Sequence, residues 1–225
     1  MRLAALFSGG KDSAFAAYLT TQMGHEIRFL VNIMPRVESS WIFHTPNLDA
    51  VPYMAEAMDI PLIRVDSDGT EQGDMDALRD ALDGLDIDGV VAGALWSDYQ
   101  WDRMNLILGD LDLVMVAPLW RKDQGMAYDE MVNAGIDAVI VGVFAEGLDE
   151  GWLGRHLDLD TKKDLLALRD RYGVSIMGEG GEYESMVLDS PMFRKRLRIV
   201  SSEKRMSKDS GTMDVTGIEL ENKLQ

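Results

Sequence analysis

Short apolar runs alternate along the chain with longer stretches whose apolar residues recur every three or four positions. That alternation is the signal of a parallel sheet covered by helices. The runs Leu3–Phe7, Ile27–Ile33, Leu62–Val65, Val90–Ala94 and Val114–Ala117 read as five buried strands. Helices are expected between them over Lys11–Gln22, Leu48–Met58, Asp74–Leu82 and Asp98–Leu108. Crossovers of this length between parallel strands are right-handed. The pattern breaks near Pro118, which divides the chain into a first unit, 1–118, and a second, 119–225.

The second unit reads as a smaller C-terminal α/β subdomain. Helices are expected over Gln124–Asn133 and from Thr161 to Tyr172, with a strand at Ala138–Val143 between them. Asp160 is placed to cap the later helix, and Gly173 stands where a left-handed C-terminal residue belongs. A short strand, Val174–Met177, then runs into the glycine-rich segment Gly178–Ser185. Beyond Val200 the chain turns polar. Met213 and Val215 share one strand face, and Ile218 and Leu220 resume out of phase after Gly217, the mark of a bulged strand. A frayed tail fits the last five residues almost as well.

Composition narrows the function. Of 225 residues, 46% are hydrophobic, enough for a core, and the formal charge is −17. A chain this acidic is unsuited to wrapping nucleic acid, which needs clustered Lys and Arg. A small anion is not excluded, because one loop can make a local positive field. There is no cysteine, which removes disulfides, thiolate zinc sites, thiol nucleophiles and a built-in thiol glutaminase. No stretch approaches the roughly 18 apolar residues of a membrane span, and the opening MRLAALF is too short for a signal peptide. The reading is a soluble, cytoplasmic protein without a membrane partner; a homo-oligomer stays open.

The first strand runs straight into Ser8-Gly9-Gly10-Lys11-Asp12-Ser13 and then a helix. Two glycines let the backbone turn tightly and approach a ligand, and the free N–H groups of the first helical turn favour an anion. Ser8 and Ser13 add hydroxyls and Lys11 a full charge. Asp12 is out of place beside a bare phosphate and suits a phosphate–magnesium complex. The spacing is not that of Walker A. The plain alternative is a polar turn capped by Ser13.

This string resembles the PP-loop of the N-type ATP pyrophosphatases. The resemblance implies a Rossmann-like α/β/α sandwich, ATP and Mg2+ as cofactors, and adenylation of an acid. Further segments resemble the diphthine–ammonia ligase family over about residues 1–200: Gly93-Ala94-Leu95-Trp96-Ser97-Asp98-Tyr99-Gln100, Ala117-Pro118-Leu119-Trp120, Gly147–Arg155, and Gly178-Glu179-Gly180-Gly181-Glu182-Tyr183-Glu184-Ser185 with Leu188–Phe193. Trp101 and Asn105 stand where that family often has Arg and Glu. The implied reaction is ATP-dependent amidation of diphthine, on translation elongation factor 2, by ammonium, through an acyl-adenylate, releasing AMP and pyrophosphate.

The resemblance implies that Ser8 through Ser13 bind nucleotide, with Lys11, Asp12 and Asp98 as catalytic groups and Asp12 or Asp98 on the metal. Ser97 either faces the ATP loop or caps its helix, and Asp98 either stabilises that helix or completes a metal site. Ser97, Tyr99, Gln100, Glu179, Gly180, Gly181, Glu182, Tyr183 and Glu184 are the implied substrate residues. Three acids and a tyrosine threaded on glycines suit a cationic ligand, so Tyr183, Glu182 and Glu184 with one of Trp96, Trp101 or Trp120 are expected to cage the trimethylammonium of diphthine. Trp120 reads otherwise as a packing residue. Gly147–Arg155 is expected to close over the substrate, and Glu38–His44 to lie near the adenine. The alternatives are a PP-loop enzyme amidating another acid or modifying tRNA, and a nucleotide-binding module without catalysis.

Overall fold

The computed structural model describes residues 1–36, 47–93 and 98–223, with backbone alone at Tyr99 and Gln100. The first half forms β1 (Arg2–Leu6), α1 (Lys11–Gln22), β2 (Glu26–Pro35), α2 (Val51–Met58), β3 (Leu62–Ser67), α3 (Glu71–Leu82), β4 (Gly89–Val91), α4 (Asp98–Asp110) and β5 (Val114–Val116). All neighbouring strands pair in parallel, in the order β3-β2-β1-β4-β5. The five expected strands and four expected helices are present. α1 has the expected bounds, and Leu48–Ala50 forms a 3-10 turn ahead of α2.

Two apolar layers clothe this sheet. Leu3, Ala5 and Leu30 pack with Phe15, Val51 and Met54 of α1 and α2. Ala4, Val31, Ile33 and Val90 pack with Leu78, Ala81, Ile107 and Leu108 of α3 and α4. The alternation of Leu3, Ala4 and Ala5 between the layers follows from the two-residue period of a strand. The chain runs outward from β1 through β2 to β3, then returns to β1's other side as β4. Such a reversal opens a crevice at the carboxyl ends of β1 and β4, where ligands of open α/β sheets bind.

The second half adds α5 (Gln124–Asn133), β6 (Asp137–Val143), α6 (Leu159–Tyr172), β7 (Tyr183–Asp189), β8 (Lys195–Met206) and β9 (Gly211–Asn222). Its sheet is antiparallel, ordered β7-β6-β9-β8. Ala138, Ile140, Val187 and Leu197 of this sheet share one core with Tyr128, Met131 and Leu165 and with the α1–α2 side of the first sheet.

Several expectations are corrected. Asp158, not Asp160, caps α6, its Oδ1 accepting from the Thr161 amide at 2.7 Å. Gly173 does take the left-handed conformation, with φ 79°. Val174–Met177 is not a strand; Val174, Ile176 and Met177 are buried as irregular backbone. The polar stretch after Val200 continues β8 because β9 pairs with it through Met206, and the register shift falls at Ser201 opposite Gly217. Gly147–Arg155 is anchored to the second sheet: Trp152 is buried, and Gly154 and Arg155 exchange backbone bonds with Ile140 of β6 at 2.8 and 2.9 Å. No helix among the described residues is long and apolar enough to cross a membrane.

Candidate active site

The loop leaving β1 is held at every step. The Phe7 amide donates to Val31 O at 2.8 Å, and the buried Asn32 amide group donates to Phe7 O at 3.0 Å, so the chain departs from the sheet at Ser8. Gly9 has φ +82°, and a Cβ there would come 3.1 Å from Met54 Sδ and 3.2 Å from Val51 Cγ2. Gly10 is the N-cap of α1 but brings no side chain to its free amides. Ser13 Oγ donates to Gly10 O at 2.9 Å and lies 3.3 Å from Ser8 Oγ.

Lys11 is 3% exposed, a long cation inside the fold. Its Nζ donates to Asp12 Oδ2 at 2.7 Å and stands 5.2 Å from the centre of the Tyr183 ring. Burial pushes its ammonium down, but Asp12, aided by the fields of Glu179 and Glu184, more than offsets this and holds it above the usual lysine value. The other carboxylate oxygen, Asp12 Oδ1, is buried and has no hydrogen-bond partner among the described residues. An orphaned buried oxygen is costly, about 1–3 kcal/mol or more when charged, unless a ligand completes it.

The glycine-rich segment is a folded turn rather than an open acidic loop. Glu182 turns inward, accepting from Ser175 N at 2.9 Å and Gly180 N at 2.8 Å. Gly178 has φ +71°, and a Cβ there would meet Tyr183 O at 2.9 Å. The turn delivers Tyr183, 2% exposed, beneath Lys11, with its hydroxyl donating to Ile176 O at 2.8 Å. Burial, then the nearby acids, raise the phenol well above its usual value, so it stays a donor. Of the side chains expected to cage a quaternary ammonium, the Tyr183 ring faces this protein's own Lys11, and Glu182 is engaged with backbone.

Asp98 sits exposed at the start of α4, both oxygens accepting from Arg121 Nη2 at 2.6 and 2.8 Å. Arg121 lies over the Trp120 ring at 5.2 Å, and Trp120 stacks on Trp101 with centroids 4.2 Å apart. Among the described residues no three His, Cys, Asp or Glu side chains form a metal cluster. Trp96, Ser97 and Glu38–His44 lie outside the described residues, and the side chains of Tyr99 and Gln100 are likewise undescribed.

Two residues that the sequence analysis named only as ends of motifs, with no role of their own, border the site. A Cβ on Gly93, just past β4, would lie 2.8 Å from both Asp12 C and Ser13 N, so only glycine lets the start of α1 close on the crevice. Its signal was a glycine directly after a strand. Ser185 accepts from the Lys11 amide at 3.2 Å across the two sheets, and Val187 N donates to Gly9 O at 2.9 Å. Nothing local announces either contact.

Comparison with known proteins bears on the whole chain. Residues 1–113 match the family model of the diphthamide synthase N-terminal domain, and residues 123–220 that of the C-terminal domain. A diphthine–ammonia ligase of Danio rerio is 36% identical, over 90% of this chain and 88% of its own. Those of Mus musculus and Homo sapiens are 37% and 35% identical, each over 90% of this chain and 84% of theirs. A solved structure described as a predicted subunit of tRNA methyltransferase from Methanocaldococcus jannaschii gives a TM-score of 0.47 at 14% identity, covering 85% of this chain and 98% of that one. That likeness is too slight to bear on function.

Proposed function

The chain belongs to the diphthamide synthase family, and from that premise we propose that its two sheets build one site where diphthine is activated by ATP and amidated by ammonium. It is an ATP-dependent ligase of diphthamide biosynthesis. A carboxylate is a poor electrophile. Its oxygen attacks the α-phosphorus of ATP, the bond to the β-phosphate oxygen breaks, and pyrophosphate leaves. Ammonia, formed when ammonium gives up a proton, then attacks the acyl carbon. The bond to AMP breaks, and the new amide nitrogen loses a proton to solvent.

The observation that carries this reading is Lys11, buried at the N-terminus of α1 with its Nζ donating to Asp12 Oδ2 at 2.7 Å. Together with the amides of that helix it would bind the outer phosphates and stabilise the departing pyrophosphate, without any covalent intermediate on the protein. Asp12 fits a magnesium ion, because Oδ1 is unpartnered and such ions take one or two carboxylates plus phosphate oxygens. Bound there, the ion would neutralise phosphate charge. Asp98 is not assigned to it, being paired with Arg121. Glu179 and Glu184, whose fields reach Lys11, give the acidic side that suits ammonium and the trimethylammonium of diphthine. The protein substrate we assign is translation elongation factor 2 carrying diphthine.

The test is incubation with ATP, magnesium and ammonium together with elongation factor either bearing or lacking diphthine. AMP and pyrophosphate are expected only with the diphthine form. ATP binding without turnover on that form would overturn the reading in favour of a non-catalytic nucleotide module.

A further inference from the structure

We infer that Ser185 is a phosphate-contacting residue of the nucleotide site, lent to the loop of the parallel sheet by the antiparallel one. This rests on the ATP reading above and adds a residue to it. β7 is an outer strand of its sheet, and the loop after β1 lies along it. Val187 N bonds Gly9 O at 2.9 Å, and a Cβ on Gly10 would touch Ser185 O at 3.4 Å and Ser185 Oγ at 3.7 Å. Tyr183 and Ser185, two apart on one strand and so on the same side of it, both reach Lys11, one beneath its ammonium and the other at its amide.

Hydrogen-bond accounting gives Ser185 its role. A hydroxyl has one proton and two lone pairs. Ser185 Oγ accepts from the Lys11 amide at 3.2 Å, and among the described residues its own proton goes to no acceptor. Ser13, the expected donor, has its proton on Gly10 O at 2.9 Å. Ser185 is thus left with a donor at the N-terminus of α1, polarised by the Lys11 amide its oxygen accepts from. An anion held at the end of α1 is the chemistry that completes it. The competing explanation is that Ser185 only caps α1, doing from across the fold what an N-cap serine does locally.

Titration calorimetry on the purified protein, with ATP, inorganic pyrophosphate and AMP as separate probes, decides between them. Ser185→Ala is expected to weaken ATP and pyrophosphate about tenfold or more, the loss of one hydrogen bond to a charged group, and to leave AMP unchanged. Ser185→Thr is expected to restore binding to within about threefold. The isosteric pair Ser185→Thr and Ser185→Val, differing by one hydroxyl and both at home in a strand, repeats the comparison where alanine loosens β7. Lower thermal stability with unchanged ATP and pyrophosphate affinity would overturn the proposal in favour of a cap alone. Equal weakening of AMP and pyrophosphate would overturn it too. Wild-type protein that binds neither ATP nor pyrophosphate would bring down the amidation reading itself, a failure visible before any variant is made.

Discussion

The ammonium of Lys11 lies 2.7 Å from a carboxylate oxygen of Asp12, its neighbour in sequence. Burial alone would drive that lysine toward neutrality, and the acids around it are what keep it charged. Asp12→Asn removes the largest of these and leaves burial less opposed. The alkaline limb of the pH–rate profile should therefore move to lower pH, in addition to any loss of magnesium binding. An unmoved alkaline limb would show that Lys11 is not sustained by Asp12. The stability linkage has the matching sign. The folded value of Lys11 is raised, so its contribution is complete below the ordinary value of 10.5 and is lost as pH climbs through the higher folded value.

Lys11→Met keeps much of the stem's volume and removes the charge. Turnover is expected to fall by about a hundredfold or more, since stabilising the leaving pyrophosphate is the step assigned to it. Denaturant unfolding should show a variant that is folded but less stable, because Asp12 Oδ2 loses its partner. Activity within about threefold of wild type would contradict the role given to Lys11.

Gly93 is pressed against backbone, and backbone does not rotate away as a flexible side chain can. Gly93→Ala places a methyl 2.8 Å from Asp12 C and Ser13 N, so the start of α1 must shift. Overpacking of this kind costs about 1–3 kcal/mol. Because the shift falls on the loop, ATP affinity should drop along with the melting temperature. A variant with lowered melting temperature and wild-type ATP binding would separate Gly93 from the nucleotide site.

What the sequence disclosed was what local chemistry dictates. The parallel strands are legible because their runs are largely apolar, and those of the central β1 and β4 are buried on both faces. The Ser8–Ser13 loop is legible because its signal lies within six residues. The second sheet is harder to read. β8 is exposed over nearly all its length and its last residues are polar, so pairing with β9 rather than composition makes it a strand. Tyr183–Asp189 hides behind a glycine-rich turn whose acids look solvated until Glu182 is seen folding back on Ser175 and Gly180. Ser185 is 174 residues from its partner Lys11, beyond the reach of any pattern.

The capping of α6 shows how narrow a local misreading can be, and it is testable. Asp158 and Asp160 both precede Thr161, but a cap must reach an amide two or three residues on, and Asp158 does so. Asp158→Ala should cost about 1 kcal/mol in urea or guanidinium unfolding, and Asp160→Ala, whose exposed carboxylate pairs with Lys163 in the first turn of α6, clearly less. The Thr161 amide holds the Asp158 carboxyl below the usual 3.8. Its stabilisation is therefore present above that value and fades as pH falls through the lower folded value. The gap between the two variants should narrow in strong acid. Equal losses at neutral pH would return the cap to Asp160.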